Sequence, residues 1–331
     1  MTSGTGIAPG ADGELSIDDR LALLRRMLEI RLFEDEVQRL FTKGLVRGTT
    51  HLGQGQEAVP VGVCAALRDG DTMTCTYRGH GAVLAMGAPL DEAFGEILGR
   101  ANGLCRGKGG SMHLTDLRVG ALGSYAIVGA HLPITVGAAL AARYTKSGAV
   151  SVAFFGEGST NIGAFHEALN LAGIWRLPAV FVCENNLYGE YSPYASTTPV
   201  DTIAERAASY GMPGVRIDGN DVEQVRATTI EAVERARSGD GPTLLEAMTY
   251  RQVGHSRSDP AKYRPEGELE QWLERDPIVV YERVLSEAGV DADALASIRV
   301  SAEEEVAAAL ERAAASPEPE LGSRLEDVYA S

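Results

Sequence analysis

Residues 149–186 read AVSVAFF (149–155), GEGSTNIG (156–163), AFHEALNLAGIWR (164–176) and LPAVFVCENN (177–186). The first run is short, apolar and rich in β-branched and aromatic residues, as a buried strand requires. The Gly-bearing polar segment is a turn, and Ala164–Arg176 carries apolar residues at helical spacing. Leu177–Asn186 is a second buried strand that ends in polar residues. Strand, helix, strand in that order is one βαβ unit, and the crossover makes its two strands parallel. Outward from it, GVRIDG (214–219) is a third strand, DVEQVRATTIEAVERARSG (221–239) a helix and PTLLEAMTYR (242–251) a fourth strand. The pattern predicts an α/β fold built on a doubly wound, mostly parallel sheet.

Helical extensions flank this sheet. Ser16 caps a helix that Gly44 closes, with Leu21, Leu24, Leu28, Leu32 and Phe33 on one face. Residues 269–276, 277–288 and 301–316 are helical in pattern. The Gly-rich run 99–137 reads as a long functional loop. The expected division is a disordered start (1–14), one main domain with helical extensions (15–315) and an extended tail (316–331).

Composition narrows the function classes. The chain has 331 residues, 44% of them hydrophobic, and a net charge of -16, so disorder throughout the chain and general nucleic-acid binding are poor readings. Cys64, Cys75, Cys105 and Cys183 form no C-x-x-C pair, which argues against a disulfide scaffold or zinc ribbon. No apolar leader and no bilayer-length apolar stretch is visible, so a cytoplasmic protein without a membrane partner is expected. No H-E-x-x-H, P-loop or G-x-S-x-G pattern occurs.

The chemistry sits where strands end. GEGSTN hands a strand over to a helix, the place where doubly wound folds bind phosphate. Asn161 takes the third Gly position of a dinucleotide fingerprint, which weakens a nicotinamide-dependent Rossmann reading. Glu157 would repel a diphosphate unless a divalent cation lay between them. Neighbouring parallel strands are about 4.8 Å apart, so the loops holding Glu157 and Asn185–Asn186 can converge on one Mg²⁺ with oxygen ligands.

GEGSTN followed about thirty residues later by ENN resembles the thiamine-diphosphate motif. HLGQGQEA, TYRGHG, RGKGGSMH, AIVGAH, VCENNLYG and TYRQVGHSRSDP extend the resemblance to the alpha subunits of the 2-oxo acid and acetoin dehydrogenases, the pyruvate dehydrogenase first-component alpha family, over roughly residues 15–320. The resemblance implies thiamine diphosphate and Mg²⁺ as cofactors. Glu157, Asn186 and the Tyr188 carbonyl match its metal ligands, although most members have Asp where Glu157 stands. Gly156 lies in the same phosphate-binding turn, whose backbone donors match at Gly158 and Ser159. Tyr77 and Arg78 match the grip on the far side of the diphosphate, and Ala126 and Val128 match backbone contacts to the aminopyrimidine. His51 and His255 match the two active-site histidines, His255 also lying against the cofactor. His80 is a further candidate, for loop order; His113, His131 and His166 have no assigned role.

The family's cofactor-activating glutamate belongs to a separate beta subunit. The resemblance therefore implies an α2β2 heterotetramer that cleaves a small-molecule 2-oxo acid and passes the acyl group to a lipoyl-bearing acyltransferase. Pyruvate is the leading substrate, with acetoin and branched-chain 2-oxo acids as alternatives.

Overall fold

The computed structural model describes residues 15–46 and 48–327. The expectation of a disordered start falls outside the described residues, as does the end of the expected tail.

Eight strands are present: β1 (Thr72–Thr76), β2 (Ala121–Tyr125), β3 (Ser151–Gly156), β4 (Ala179–Asn185), β5 (Tyr188–Gly189), β6 (Ser192–Pro193), β7 (Gly214–Asp218) and β8 (Thr243–Met248). Six form one sheet in the order β2-β1-β3-β4-β8-β7, parallel throughout, while β5 and β6 form a short antiparallel pair. This is the doubly wound α/β sheet expected. The helices are α1 (Ile17–Thr42), α2 (Ala58–Cys64), α3 (His80–Ala85), α4 (Leu90–Ile97), α5 (His131–Thr145), α6 (Gly163–Ile174), α7 (Tyr194–Thr197), α8 (Val222–Arg237), α9 (Glu268–Leu273), α10 (Pro277–Glu287) and α11 (Ala292–Ala315).

The period-two alternation of β3 and β4 divides the core. Val152, Phe154, Val180 and Val182 face the larger cluster, which also draws on α1 to α4, α8, α10 and α11. Ala153, Phe155, Ala179, Phe181 and Cys183 face a smaller cluster under α5 and α6. Both faces of these strands are therefore covered, which is why they read as continuous apolar runs. At the start of α1, Ser16 and Asp19 form a reciprocal capping box.

Three expectations are corrected. Run 99–137 is not one long loop: it holds β2 and the first half of α5. β2 is an edge strand with only β1 beside it, and its Gly123 has φ +139°, so its sequence, ALGSY, lacks a strand's apolar signature. The last helix begins at Ala292, well before residue 301. The tail beyond 315 contains a turn of 3-10 helix (Leu321–Leu325) and is tied to the Gly-rich loop, with Lys108 paired to Asp327 at 2.7 Å. Among the described residues no helix is long and apolar enough to cross a membrane.

Candidate active site

The loops after β1, β3, β4 and β8 meet at the carboxyl edge of the sheet and enclose a cavity of about 290 Å³. Chain order changes direction here, since β1 connects to β2 on one side while β3 follows on the other. Such a switch point is where open α/β sheets bind ligands.

Glu157 begins a 3-10 turn directly after β3. It is 2% exposed, and burial pushes its carboxyl above the ordinary range. The Asn186 N–H donates to it at 3.2 Å. The Asn186 amide donates to Gln56 at 2.9 Å, and its oxygen accepts from the Tyr188 N–H at 3.3 Å. Leu187 adopts φ +74°, which folds β4 back so that Tyr188 and Gly189 lie against the Glu157 turn. A Cβ on Gly158 would sit 3.2 Å from the Gly189 Cα, a contact that a side chain would tighten and that glycine leaves free.

Arg78 and Arg251 supply the opposite charge. Arg78 donates to the carbonyls of Leu52 and His255, the latter at 2.9 Å. Arg251 donates to the carbonyls of Val253 and Glu190 and to the Tyr263 hydroxyl. Neither guanidinium meets a carboxylate among the described residues. Burial, aided by Arg251, pushes Arg78 down to about 10. Two buried cations held only by neutral groups favour an anionic ligand.

His51 and His255 stand edge to face, ring centres 5.0 Å apart, with Tyr77 4.3 Å from His51. Burial, then the positive charge of Arg78, pushes His51 down to about 3 and His255 to about 4, so both are neutral at pH 7. The Nδ1 of each ring is buried without a hydrogen-bond partner. Burial raises Glu184, also on the cavity wall, to about 7.

The cavity thus gathers Tyr77, Arg78, Val128, Gly156, Glu157, Gly158, Ser159, Asn186, Tyr188 and His255 from the expected set. His51 joins it through its ring contacts. Ala126 and His80 do not line it. His80 is fully buried, with Nδ1 2.7 Å from Glu34 and Nε2 2.9 Å from the Ser111 hydroxyl. Glu34 in turn accepts the Gly53 N–H at 2.9 Å, beside His51. His80 therefore braces a loop and does not face the reacting volume. Gln56, Glu184 and Arg251 are cavity residues that the sequence reading did not single out. Arg251 could have been found, because it follows β8 on the same edge.

Among the described residues no cluster of three or more His, Cys, Asp and Glu side chains could hold a metal ion. A cation at Glu157 would need its other oxygens from an amide, a carbonyl and a ligand phosphate, which suits Mg²⁺. The buried Glu157 carboxylate, the close approach of Gly158 and Gly189, and two arginines without a carboxylate partner fit a metal-bridged diphosphate.

The fold and site define an α/β protein with a cavity at the switch point of its sheet whose unpaired arginines suit an anionic ligand. The family model of the dehydrogenase E1 component matches residues 25–322. The chain is 47% identical over 318 residues to the alpha subunit of acetoin:2,6-dichlorophenolindophenol oxidoreductase from Bacillus subtilis, covering 96% of this chain and 95% of that one. It is 42% identical to the same subunit from Cupriavidus necator over 94% of each chain. It is 40% identical to the pyruvate dehydrogenase E1 component alpha subunit of Rhizobium meliloti, over 97% of this chain and 93% of that one. The chain belongs to the dehydrogenase E1 component family, as an alpha-type member with oxidoreductase relatives.

Proposed function

We propose that this chain is the alpha subunit of a thiamine-diphosphate- and Mg²⁺-dependent E1 enzyme. The observation that carries this reading is the pairing, within one cavity, of buried Glu157 with Arg78 and Arg251, neither of which meets a carboxylate. Glu157, Asn186 and the Tyr188 carbonyl would hold the metal. The backbone of Gly158 and Ser159 would meet the diphosphate on one side and Tyr77 and Arg78 on the other, with Val128 at the ring end. When bound, thiamine diphosphate supplies the nucleophilic carbon and the electron sink needed to break a C–C bond beside a carbonyl.

His51 and His255 stay neutral beside Arg78, so each can accept a proton at its unpartnered Nδ1 or donate through the other nitrogen. The Leu52 and His255 carbonyls, from two loops, hold the Arg78 fork and so orient it.

A beta subunit completes the site and makes an α2β2 assembly, and a lipoyl-bearing acyltransferase receives the acyl group. The apolar residues left exposed on α5 and α6, among them Ile134, Leu140 and Leu171, support such a partner. The reduced thiols of Cys75 and Cys183 are consistent with a cytoplasmic setting. Pyruvate and acetoin are the donors to compare, and the 47% identity to an acetoin-named subunit favours acetoin. The test is dye reduction by the chain assembled with its beta partner, supplied in turn with acetoin, pyruvate and branched 2-oxo acids. A rate that needs thiamine diphosphate and one donor supports the reading. Tight NAD binding with no thiamine-diphosphate binding would replace it.

A further inference from the structure

A second cavity, of about 500 Å³, lies at the amino edge of the sheet, where the C-terminal ends of α5, α6 and α8 converge beside the starts of β3 and β4. It is separated from the candidate active site by the length of the strands, and its size suits a small ligand, for which pockets run roughly 300–1,000 Å³.

Its charge is unusual for a chain with a net charge of -16. Arg143, Lys146 and Arg176 all line it, and none meets a carboxylate among the described residues. Arg143 donates to the Trp175 carbonyl, while a fourth cation, Arg237, is already paired with Asp71 at 2.8 Å. Helix ends explain part of this charge. Each C-terminus carries about -0.5 of an elementary charge, so three supply about -1.5 against three full positive charges. A positive excess remains.

The backbone adds an independent observation. Lys146 and Arg176 follow α5 and α6 with φ of +53° and +47°. This left-handed position at a helix end favours glycine, and other side chains hold it at some strain. Here both positions carry cations that line one cleft. Trp175 is 40% exposed on the same wall.

We propose that this cleft binds a small organic phosphate carrying a flat ring, a nucleoside phosphate in chemical class. Lys146 and Arg176 meet the phosphates, and the ring lies on the Trp175 indole. The site is distinct from the thiamine-diphosphate cavity and does not depend on that assignment.

Calorimetry on the assembled holoenzyme, saturated with thiamine diphosphate and Mg²⁺ so that the active cavity is filled, tests this with ADP, adenosine and inorganic pyrophosphate. ADP should bind once per alpha chain. Lys146→Gly and Arg176→Gly should each weaken it by about tenfold or more, as loss of a charge-assisted phosphate contact does. Because glycine relieves the positive φ, the melting temperature should hold or rise, so the lost binding cannot come from unfolding. Absence of ADP binding, unchanged affinity in both variants, or pyrophosphate binding as tightly as ADP would overturn the proposal.

Discussion

At the scale of the residue, a carboxylate buried like Glu157 without an ion-pair contact destabilises the ligand-free chain, because burial outweighs the nearby charges of Arg251 and Arg78 and disfavours its charged form. Its folded pKa lies above its unfolded one, so this penalty grows as pH rises through the carboxylate range. Glu157→Gln should therefore leave the ligand-free melting temperature equal or higher, while metal-dependent thiamine-diphosphate affinity falls. Loss of a group that merely supports a metal ligand lowers affinity roughly 10–100-fold, so loss of the ligand itself should exceed ~100-fold. Calorimetry with and without Mg²⁺ decides this, and wild-type affinity in the variant would remove Glu157 from the metal site.

The two histidines give the opposite slope. His51 and His255 titrate at about 3 and about 4 in the folded chain, below their unfolded value. The unfolded chain then binds more protons between those limits, so stability is full above about pH 6.5 and is lost as pH falls toward 4. Urea unfolding of the ligand-free chain across that window should show this slope, and His51→Asn with His255→Asn should flatten it. In the assembled enzyme His255→Ala should lower kcat by about 10²–10⁴-fold, the usual range for a lost acid or base. A near wild-type kcat would exclude it from proton transfer.

At the scale of the element, two buried carboxylates organise the loops that form the site. Glu34 on α1 links His80 to the Gly53 amide, and the same loop places His51, the Leu52 carbonyl under Arg78, and Gln56 against Asn186. If His80 acts through this loop, His80→Asn should lower kcat in the wild-type background and have little further effect on kcat in a His51→Ala background. Equal losses in both backgrounds would make its role merely structural. Glu96 on α4 accepts four backbone N–H groups, from Cys105, Gly107, Gly109 and Gly110. Glu96→Ala leaves these donors unsatisfied and should destabilise by about 3 kcal/mol, since one orphaned buried donor costs about 1–3. Urea unfolding gives the value, and faster tryptic cleavage at Arg106 and Lys108 would locate it.

At the scale of the whole molecule, the covered and uncovered faces of the sheet differ. One face is buried under seven helices, while the other carries α5 and α6, whose outer surfaces expose Ile134, Leu140 and Leu171. On the proposed heterotetramer, Ile134→Glu should leave the isolated chain folded and impair assembly with the beta partner. Sedimentation velocity on the mixture reads this directly, and normal assembly would exclude this face from the interface.

Much of this was legible in the chain itself. The β3–α6–β4 unit shows as two apolar runs around a helical period because both faces of those strands are covered, and local pattern suffices to reveal it. Glu157 and Asn186 stand at the ends of those strands, so their meeting followed from parallel pairing alone. β1 and β2 were not legible, because TMTCT and ALGSY lack a continuous apolar run and become strands only by pairing with neighbours. The family resemblance set His51 apart from His80, a candidate only for loop order, but the partners came from packing, which sends the His80 ring to Glu34 and the His51 ring to Tyr77 and His255. Arg251 gains its role the same way. A guanidinium becomes an anion site when the folded chain buries it away from every carboxylate, and that depends on residues far apart in sequence. The sequence by itself thus determined the sheet's central unit and the residues at its strand ends; the tertiary structure alone decided which loops close over them, because burial and charge pairing are properties of the packed chain.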